Sequence, residues 1–251
     1  MKNSAKDLFS AHSDIYAKYR PLYPRDLFDF ILNQVTSKEI ALDCGTGNGQ
    51  AASVLAEHFV QVHATDISEK QISNAAQKPN LYYHICRAEE TPFADNKFDL
   101  IVSATAVHWF QLDKFFKEVK RIGKNNSVCA CWGYSLFRTH EPALNELIDK
   151  FYFQKIHSYW DAERRHVDAE YKSISFPFDE LKDPGFAARL QWNLDELEGY
   201  LNTWSAVQHY LRIHNLNPVK ELMREIKLQV QNNSKLQITL PIFMRIGIIK
   251  K

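Results

Sequence analysis

The run Asp43-Cys44-Gly45-Thr46-Gly47-Asn48-Gly49 places an acid ahead of three glycines at alternate positions. Glycine at a bend admits left-handed dihedrals and leaves the main chain bare of Cβ atoms, so a large ligand can lie against it. Asp66 stands 19 residues beyond Gly47, closing Val62-His63-Ala64-Thr65-Asp66. A carboxylate about 20 residues past the glycines, at the tip of a second strand, is placed to accept hydrogen bonds from both hydroxyls of a ribose. The chemistry these residues offer is the holding of a nucleoside. A dinucleotide fingerprint, GxGxxG, needs a third glycine where Gln50 stands when counted from Gly45, so that fit is incomplete.

Two further residue types bear on reactivity. His108 follows the fourth strand beside the glycine bend and is the one well-placed general base, although a histidine among aromatics is as readily a satisfied core residue. Arg20 offers a planar fork suited to a carboxylate, of a cofactor or of a substrate. The ten histidines are scattered without HExxH or HxxxH spacing, and no metal is expected. Neither GxSxG nor GxxxxGK[ST] occurs, which removes lipase-type hydrolysis and P-loop chemistry.

Positioning these residues requires alternating elements. Apolar strand-like runs lie at residues 40–44, 60–65, 81–86, 98–104 and 128–132, with helix-like spacing between them at 49–59 and 114–122. Such alternation implies crossover connections and a parallel sheet covered on both faces. The expected fold is α/β, a doubly wound, mostly parallel seven-stranded sheet with a helical cap. Aromatic-rich helical segments follow at 141–159, 194–211 and 218–231, with a strand-like piece at 186–192. Residues 236–249 return to β-branched composition and rejoin the sheet, with Pro241 marking an edge or a bulge. The chain reads as one domain: a strap and helix over 1–38, a cofactor-binding core over 39–135, a mainly helical cap over 136–232, and a returning strand over 233–251. A cap over the carboxyl edge of the strands would enclose a pocket.

Composition limits the classes of partner. Lys and Arg number 31 against 30 Asp and Glu, a net charge of +1 that disfavours a dedicated nucleic-acid binder. No apolar run approaches membrane-spanning length, and the first residues lack the apolar centre of a secretory signal, so a cytoplasmic protein is expected. Cys44, Cys86, Cys129 and Cys131 contain no CxxC pair and read as reduced thiols in buried strands.

The DxGxGxG form resembles the first motif of class I S-adenosylmethionine-dependent methyltransferases, with their Rossmann-like fold. Arg87-Ala88-Glu89-Glu90-Thr91-Pro92-Phe93, then Asp95, Phe98 and Asp99, is similar to the AExLPFxDxxFD segment of the methyltransferase type 11 group. Tyr16-Ala17-Lys18-Tyr19-Arg20-Pro21-Leu22-Tyr23-Pro24 resembles the YxxxRPxYP strap of that group, and His108-Trp109-Phe110 is similar to the HWF signature of small-molecule methyltransferases related to fungal-type trans-aconitate methyltransferases. Residues 199–208 resemble the GYLRTWSAVQ segment of relatives similar to fungal-type trans-aconitate methyltransferases, with Asn202 in place of Arg. The resemblance implies S-adenosyl-L-methionine as cofactor, contacted by Tyr19, Arg20, Asp43, Gly45, Thr46, Gly47, Asp66, Ile67, Ala88, Glu89 and Thr105. Many members carry an acid for the adenine amino group where this chain has Arg87, so adenine contact falls to the backbone at Ala88, and Glu89 is equally a helix-capping acid. The resemblance also implies a small organic acid as methyl acceptor, lined by Tyr16, Arg20, His108, Trp109, Trp204 and Gln208, with His108 as base or positioning group and Trp109 as positioning group. A phenol, amine or carbon acceptor, a catalytically silent cofactor binder, and a nicotinamide-dependent oxidoreductase are the competing readings.

Overall fold

The computed structural model describes residues 19–230 and 235–251. Tyr16, Ala17 and Lys18 of the strap motif lie outside them. A nine-stranded sheet runs in the order β3-β2-β1-β4-β5-β9-β6, with β7 and β8 also on β9. Its parallel part comprises β1 (Ile40–Cys44), β2 (Gln61–Asp66), β3 (Leu81–Ile85), β4 (Phe98–Ala104) and β5 (Gly123–Tyr134). The chain winds outward from β1 to β3, then crosses back to place β4 on the other side of β1. Strand order therefore reverses between β1 and β4, the position at which open α/β sheets bind ligands.

Alternate residues of the central strands enter opposite layers. Ala41, Leu100, Val102, Val128, Ala130 and Trp132 face one layer, and Leu42, Ile101, Cys129 and Cys131 face the other. The first layer is covered by α1 (Arg25–Asn33) and α2 (Gln50–Leu55), the second by α4 (Leu112–Ile122), which follows the short α3 (Glu69–Ser73). Helix α4 buries Phe115, Phe116, Val119 and Ile122 at helical spacing and ends on Lys120 and Arg121, favourable at the negative end of its dipole. Phe98, Leu100, Ile101 and Val102 of β4 are 0–1% exposed. At roughly 1.5–3 kcal/mol per buried large side chain, β4 anchors both layers.

The sheet has nine strands rather than the seven expected, because the 136–232 segment supplies strands as well as helices. It contributes β6 (Arg138–Thr139), β7 (Asp179–Leu181) and β8 (Phe186–Trp192), all antiparallel to β9 (Leu236–Ile248). Strand β9 is also antiparallel to β5. Pro241 is not on an edge. It pairs with Ala187 of β8, its carbonyl accepts from the Ser135 N–H at 2.9 Å, and the register of β9 shifts by one residue between β5 and β6. A residue without an N–H is tolerated at such a bulge.

The helices of that segment are α5 (Pro142–Lys150), α6 (Arg164–Asp168), α7 (Leu194–Asn202), α8 (Ser205–His214) and α9 (Val219–Gln229). The helix expected over 141–159 gives way to a π turn at Phe151–Lys155 and a 3-10 turn at His157–Tyr159. The one expected over 194–211 breaks at Trp204, whose backbone is extended, while Thr203 Oγ1 donates to the Tyr200 carbonyl at 2.6 Å and closes α7. Asn193 and Glu196 form a capping box at the start of α7. Cys44, Cys129 and Cys131 are buried free thiols, whereas Cys86 lies just beyond β3 and is half-buried. Among the described residues no helix is long and apolar enough to cross a membrane.

Candidate active site

The bend after β1 has three glycines in left-handed conformations, at φ 68° for Gly45, 55° for Gly47 and 81° for Gly49. At Gly45 a Cβ would lie 2.6 Å from the Ala106 Cβ and 3.0 Å from the Phe110 ring, so β4's outgoing loop closes against the bend there. At Gly47, which lines the cavity, a Cβ would meet nothing within 4 Å. The N–H groups of Gly45 and Thr46 both donate to the Thr65 carbonyl at 2.9 Å. Asp43 is fully buried behind the bend: its Oδ2 accepts from Thr46 Oγ1 at 2.6 Å and from the Ala52 N–H at 3.1 Å, tying the bend to α2. Burial pushes its carboxyl up to about 6, against the lowering effect of those hydrogen bonds.

Asp66 ends β2 at the rim of the bend. Its Oδ2 accepts from the Gly47 N–H at 2.8 Å and its Oδ1 from the Ser68 N–H at 2.9 Å. These backbone bonds orient the carboxylate at the rim of the bend.

The cavity above has a volume of about 310 Å³, within the range of small-molecule sites. It brings together Arg20, Gly45, Thr46, Gly47, Asp66, Ile67, Ala88, Glu89, Thr105 and Trp109 of the residues expected from sequence. Glu89 Oε1 accepts from the Gln111 N–H at 2.9 Å, which caps α4, and from Arg87 at 3.3 Å. Its capping role is thus present beside its place in the lining. Arg20 has its guanidinium carbon 5.7 Å from the Tyr200 ring centre.

Five expected residues are absent from the lining. Asp43 stands behind the bend, as described. Tyr19 packs against Gly199 of α7, where a Cβ would collide with its ring. His108 is 6% exposed, its Nδ1 is 2.9 Å from the Tyr171 hydroxyl, and its ring lies against Trp109. Burial first, then the charges of Arg164, His166 and Arg20, hold its pKa well below the usual histidine value. It is a neutral strut between the β4 loop and the 160–178 segment. Trp204 is 5% exposed, among the rings of Phe137, Phe151, Tyr152, Trp160 and Tyr200. Gln208 donates from Nε2 to the Asn202 carbonyl at 2.7 Å and closes the end of α7. Both serve the packing of the helices.

The lining also holds residues that sequence reading missed: Tyr23, Tyr134, Phe110, Gln111 and Glu163. Tyr23 sits in the quoted strap motif, where its spacing from Arg20 was a usable signal. Glu163 comes from residues 160–185, which carry no periodic pattern. Thr105, just past β4, adopts φ 57°, a conformation that costs a β-branched residue of order 1–3 kcal/mol. Among the described residues no group of three or more His, Cys, Asp or Glu is arranged to hold a metal.

Residues 42–131 match the family model described as Methyltransferase domain. The chain is 30% identical over 245 residues to a Dictyostelium discoideum protein named as a methyltransferase, covering 95% of this chain and 93% of the relative. A Saccharomyces cerevisiae protein named as an S-adenosylmethionine-dependent methyltransferase is 28% identical over 139 residues, 51% of this chain and 46% of the relative. A solved structure described as a type II methyltransferase from Anaeromyxobacter dehalogenans has a TM-score of 0.85 and 36% identity, covering 92% of this chain and 99% of that one.

Proposed function

From the premise that this chain belongs to the class I S-adenosylmethionine-dependent methyltransferases, we propose that it methylates a small organic acid to a methyl ester. The observation that carries this reading is the composition of the cavity wall, which among the described residues holds the cations Arg20 and Arg87 and, beside the carboxylates of Asp66, Glu89 and Glu163, no histidine, lysine or cysteine. An ionised carboxylate, with an ordinary pKa near 4, needs no base to become a nucleophile. With His108 buried and neutral outside the cavity, an acceptor that is already anionic is favoured over one that must lose a proton.

The cofactor fits the residues present. The uncovered face of Gly47 is a cradle free of side-chain atoms, and Asp66 stands oriented at its rim. Bound there, S-adenosylmethionine supplies a methyl group on a positively charged sulfur, already activated for transfer. The chain's own part is to hold the ribose at Asp66, the adenine at Ala88 and Glu89, and the acid at Arg20. It also keeps water out beneath Trp109, Tyr134 and the 136–232 segment, read as a cap on one domain. The likeness of the strap, His108-Trp109-Phe110 and residues 199–208 to small-acid methyltransferases of the trans-aconitate type supports the same acceptor class. A small-molecule acceptor rather than nucleic acid agrees with the near-zero net charge, and buried free thiols agree with a cytoplasmic location.

Titration calorimetry with S-adenosylmethionine and S-adenosylhomocysteine, followed by a transfer screen over carboxylic acids, phenols and amines, tests the reading. Methyl esters are the expected product, and Arg20→Ala should raise KM for the acid. Methylation confined to phenols or amines would overturn the acid assignment. One observation favours that second reading: the Glu163 carboxylate in the lining is a group able to take a proton from such acceptors.

A further inference from the structure

Tyr23 and Thr105 are 82 residues apart in sequence, yet Tyr23 Oη and Thr105 Oγ1 are hydrogen-bonded at 2.8 Å, and both residues line the cavity. The two groups are held from independent directions. The Tyr23 ring stacks on Tyr134 at 5.0 Å and 9°, and meets Trp132 edge-on at 5.5 Å. Tyr134 is itself fixed by donating its hydroxyl to the Pro21 carbonyl at 2.8 Å. Thr105 is kept at its positive φ by its N–H donating to the Trp132 carbonyl at 2.7 Å. Trp132 is fully buried, so one immobile residue supports both members of the pair. Left-handed backbone at a β-branched residue persists only where the surroundings impose it, and such residues cluster at ligand clamps.

The pair also stands at the reversal of strand order. Thr105 directly follows the end of β4, and its neighbour Ala106 is the residue that packs on Gly45 of the β1 bend. A polar group fixed there before a ligand arrives needs no reorganisation when the ligand binds.

We propose that the paired hydroxyls of Tyr23 and Thr105 grip the polar group of the methyl acceptor, with Tyr23 touching it and Thr105 acting as a positioning residue through Tyr23. In the transfer, an acceptor lone pair forms the bond to the methyl carbon while the carbon–sulfur bond breaks and its electron pair stays on sulfur. An ionised acid loses no proton in that step; Thr105 Oγ1 donates to Tyr23 Oη, and the Tyr23 hydroxyl donates to the carboxylate. This goes beyond the acid reading, because a hydroxyl pair grips a phenol or an amine as well, the proton such an acceptor loses passing to the Glu163 carboxylate in the lining.

The test uses the full chain saturated with S-adenosylhomocysteine and titrated calorimetrically with phenylacetate, p-cresol and benzylamine, which share a ring and differ in polar group. Tyr23→Phe keeps the ring on Tyr134, Thr105→Gly keeps the left-handed backbone, and Thr105→Ser restores the hydroxyl. Whichever probe the parent binds should bind Tyr23→Phe and Thr105→Gly about 10- to 100-fold more weakly, with Thr105→Ser within about threefold of the parent. Affinity for S-adenosylhomocysteine should stay within about twofold in Tyr23→Phe, which a merely structural defect would not allow. Unchanged probe affinity in Tyr23→Phe overturns the proposal, as does an equal loss of S-adenosylhomocysteine affinity, or a parent that binds none of the three probes. A parent that prefers p-cresol or benzylamine, with the same loss in Tyr23→Phe, upholds the hydroxyl pair and overturns the acid assignment instead.

Discussion

A single methyl group added at Gly47 separates holding the fold from holding the nucleoside. Gly47 is at φ 55° and a Cβ built there meets no heavy atom within 4 Å. Alanine therefore costs only its left-handed backbone, about 1–2 kcal/mol. At roughly 2–4 °C per kcal/mol for a domain of this size, Tm should fall by about 2–8 °C. The methyl is added in open space at a residue that lines the cavity, beside Asp66, which is bonded to the same residue's N–H. It occupies space the ribose needs, and a loss of about 2 kcal/mol, roughly 30-fold in Kd for S-adenosylhomocysteine, is expected. Gly45→Ala is the contrasting case. Its Cβ would lie 2.6 Å from the Ala106 Cβ, so overpacking of about 1–3 kcal/mol adds to the backbone cost and Tm should drop further. Thermal unfolding and calorimetry on both variants decide the matter. A Gly47→Ala protein that binds S-adenosylhomocysteine as tightly as the parent would refute the placement of the nucleoside on this bend.

Asp43→Asn keeps the acceptor for Thr46 and Ala52 but removes a carboxyl whose folded pKa, about 6, lies above its unfolded value near 4. The protonated form is favoured in the fold, so the Asp43 contribution should fall by about 2–3 kcal/mol as pH rises from 4 to 6, read as the difference between parent and variant in a Tm-against-pH series. His63, lowered to about 4 by burial first and then by Lys97 and His84, works in the opposite direction. Its contribution is present above about 6.5 and is lost as pH falls toward 4, so a His63→Asn background should make the Asp43 slope steeper. His108→Asn should leave the pH dependence of the rate between 6 and 8 unchanged, since the ring faces Tyr171 and not the cavity; loss of an alkaline plateau in the rate profile would restore it as a base. Trp204→Ala should cost about 3–5 kcal/mol in urea unfolding, and a variant with parental stability but altered acceptor preference would contradict the packing role.

The nucleoside half of the site was legible because its signals are contiguous. A bend that must expose main chain needs Gly45 and Gly47 in a fixed local order, and Asp66 follows one crossover later at a nearly constant spacing. Strand periods of two and helix periods near four likewise exposed β1 to β5 and α4, since each element's own residues decide which face it buries. The 136–232 segment was harder. Its helices were visible, but β6 and β7 are two and three residues long and owe their existence to pairing with β9, not to any pattern of their own.

From the residues alone came the bend, the acid that bonds to it, the winding of the sheet and the family's cofactor. The tertiary structure alone decided which side chains from distant elements line the cavity. His108, Trp204 and Gln208 have residue types suited to a pocket, yet side-chain direction and non-local contacts turn them inward to Tyr171, to an aromatic cluster and to the end of α7. Tyr23, Thr105 and Glu163 reach one cavity from three distant parts of the chain. Convergence of that kind depends on how whole elements pack, and the identity or spacing of neighbouring residues does not encode it.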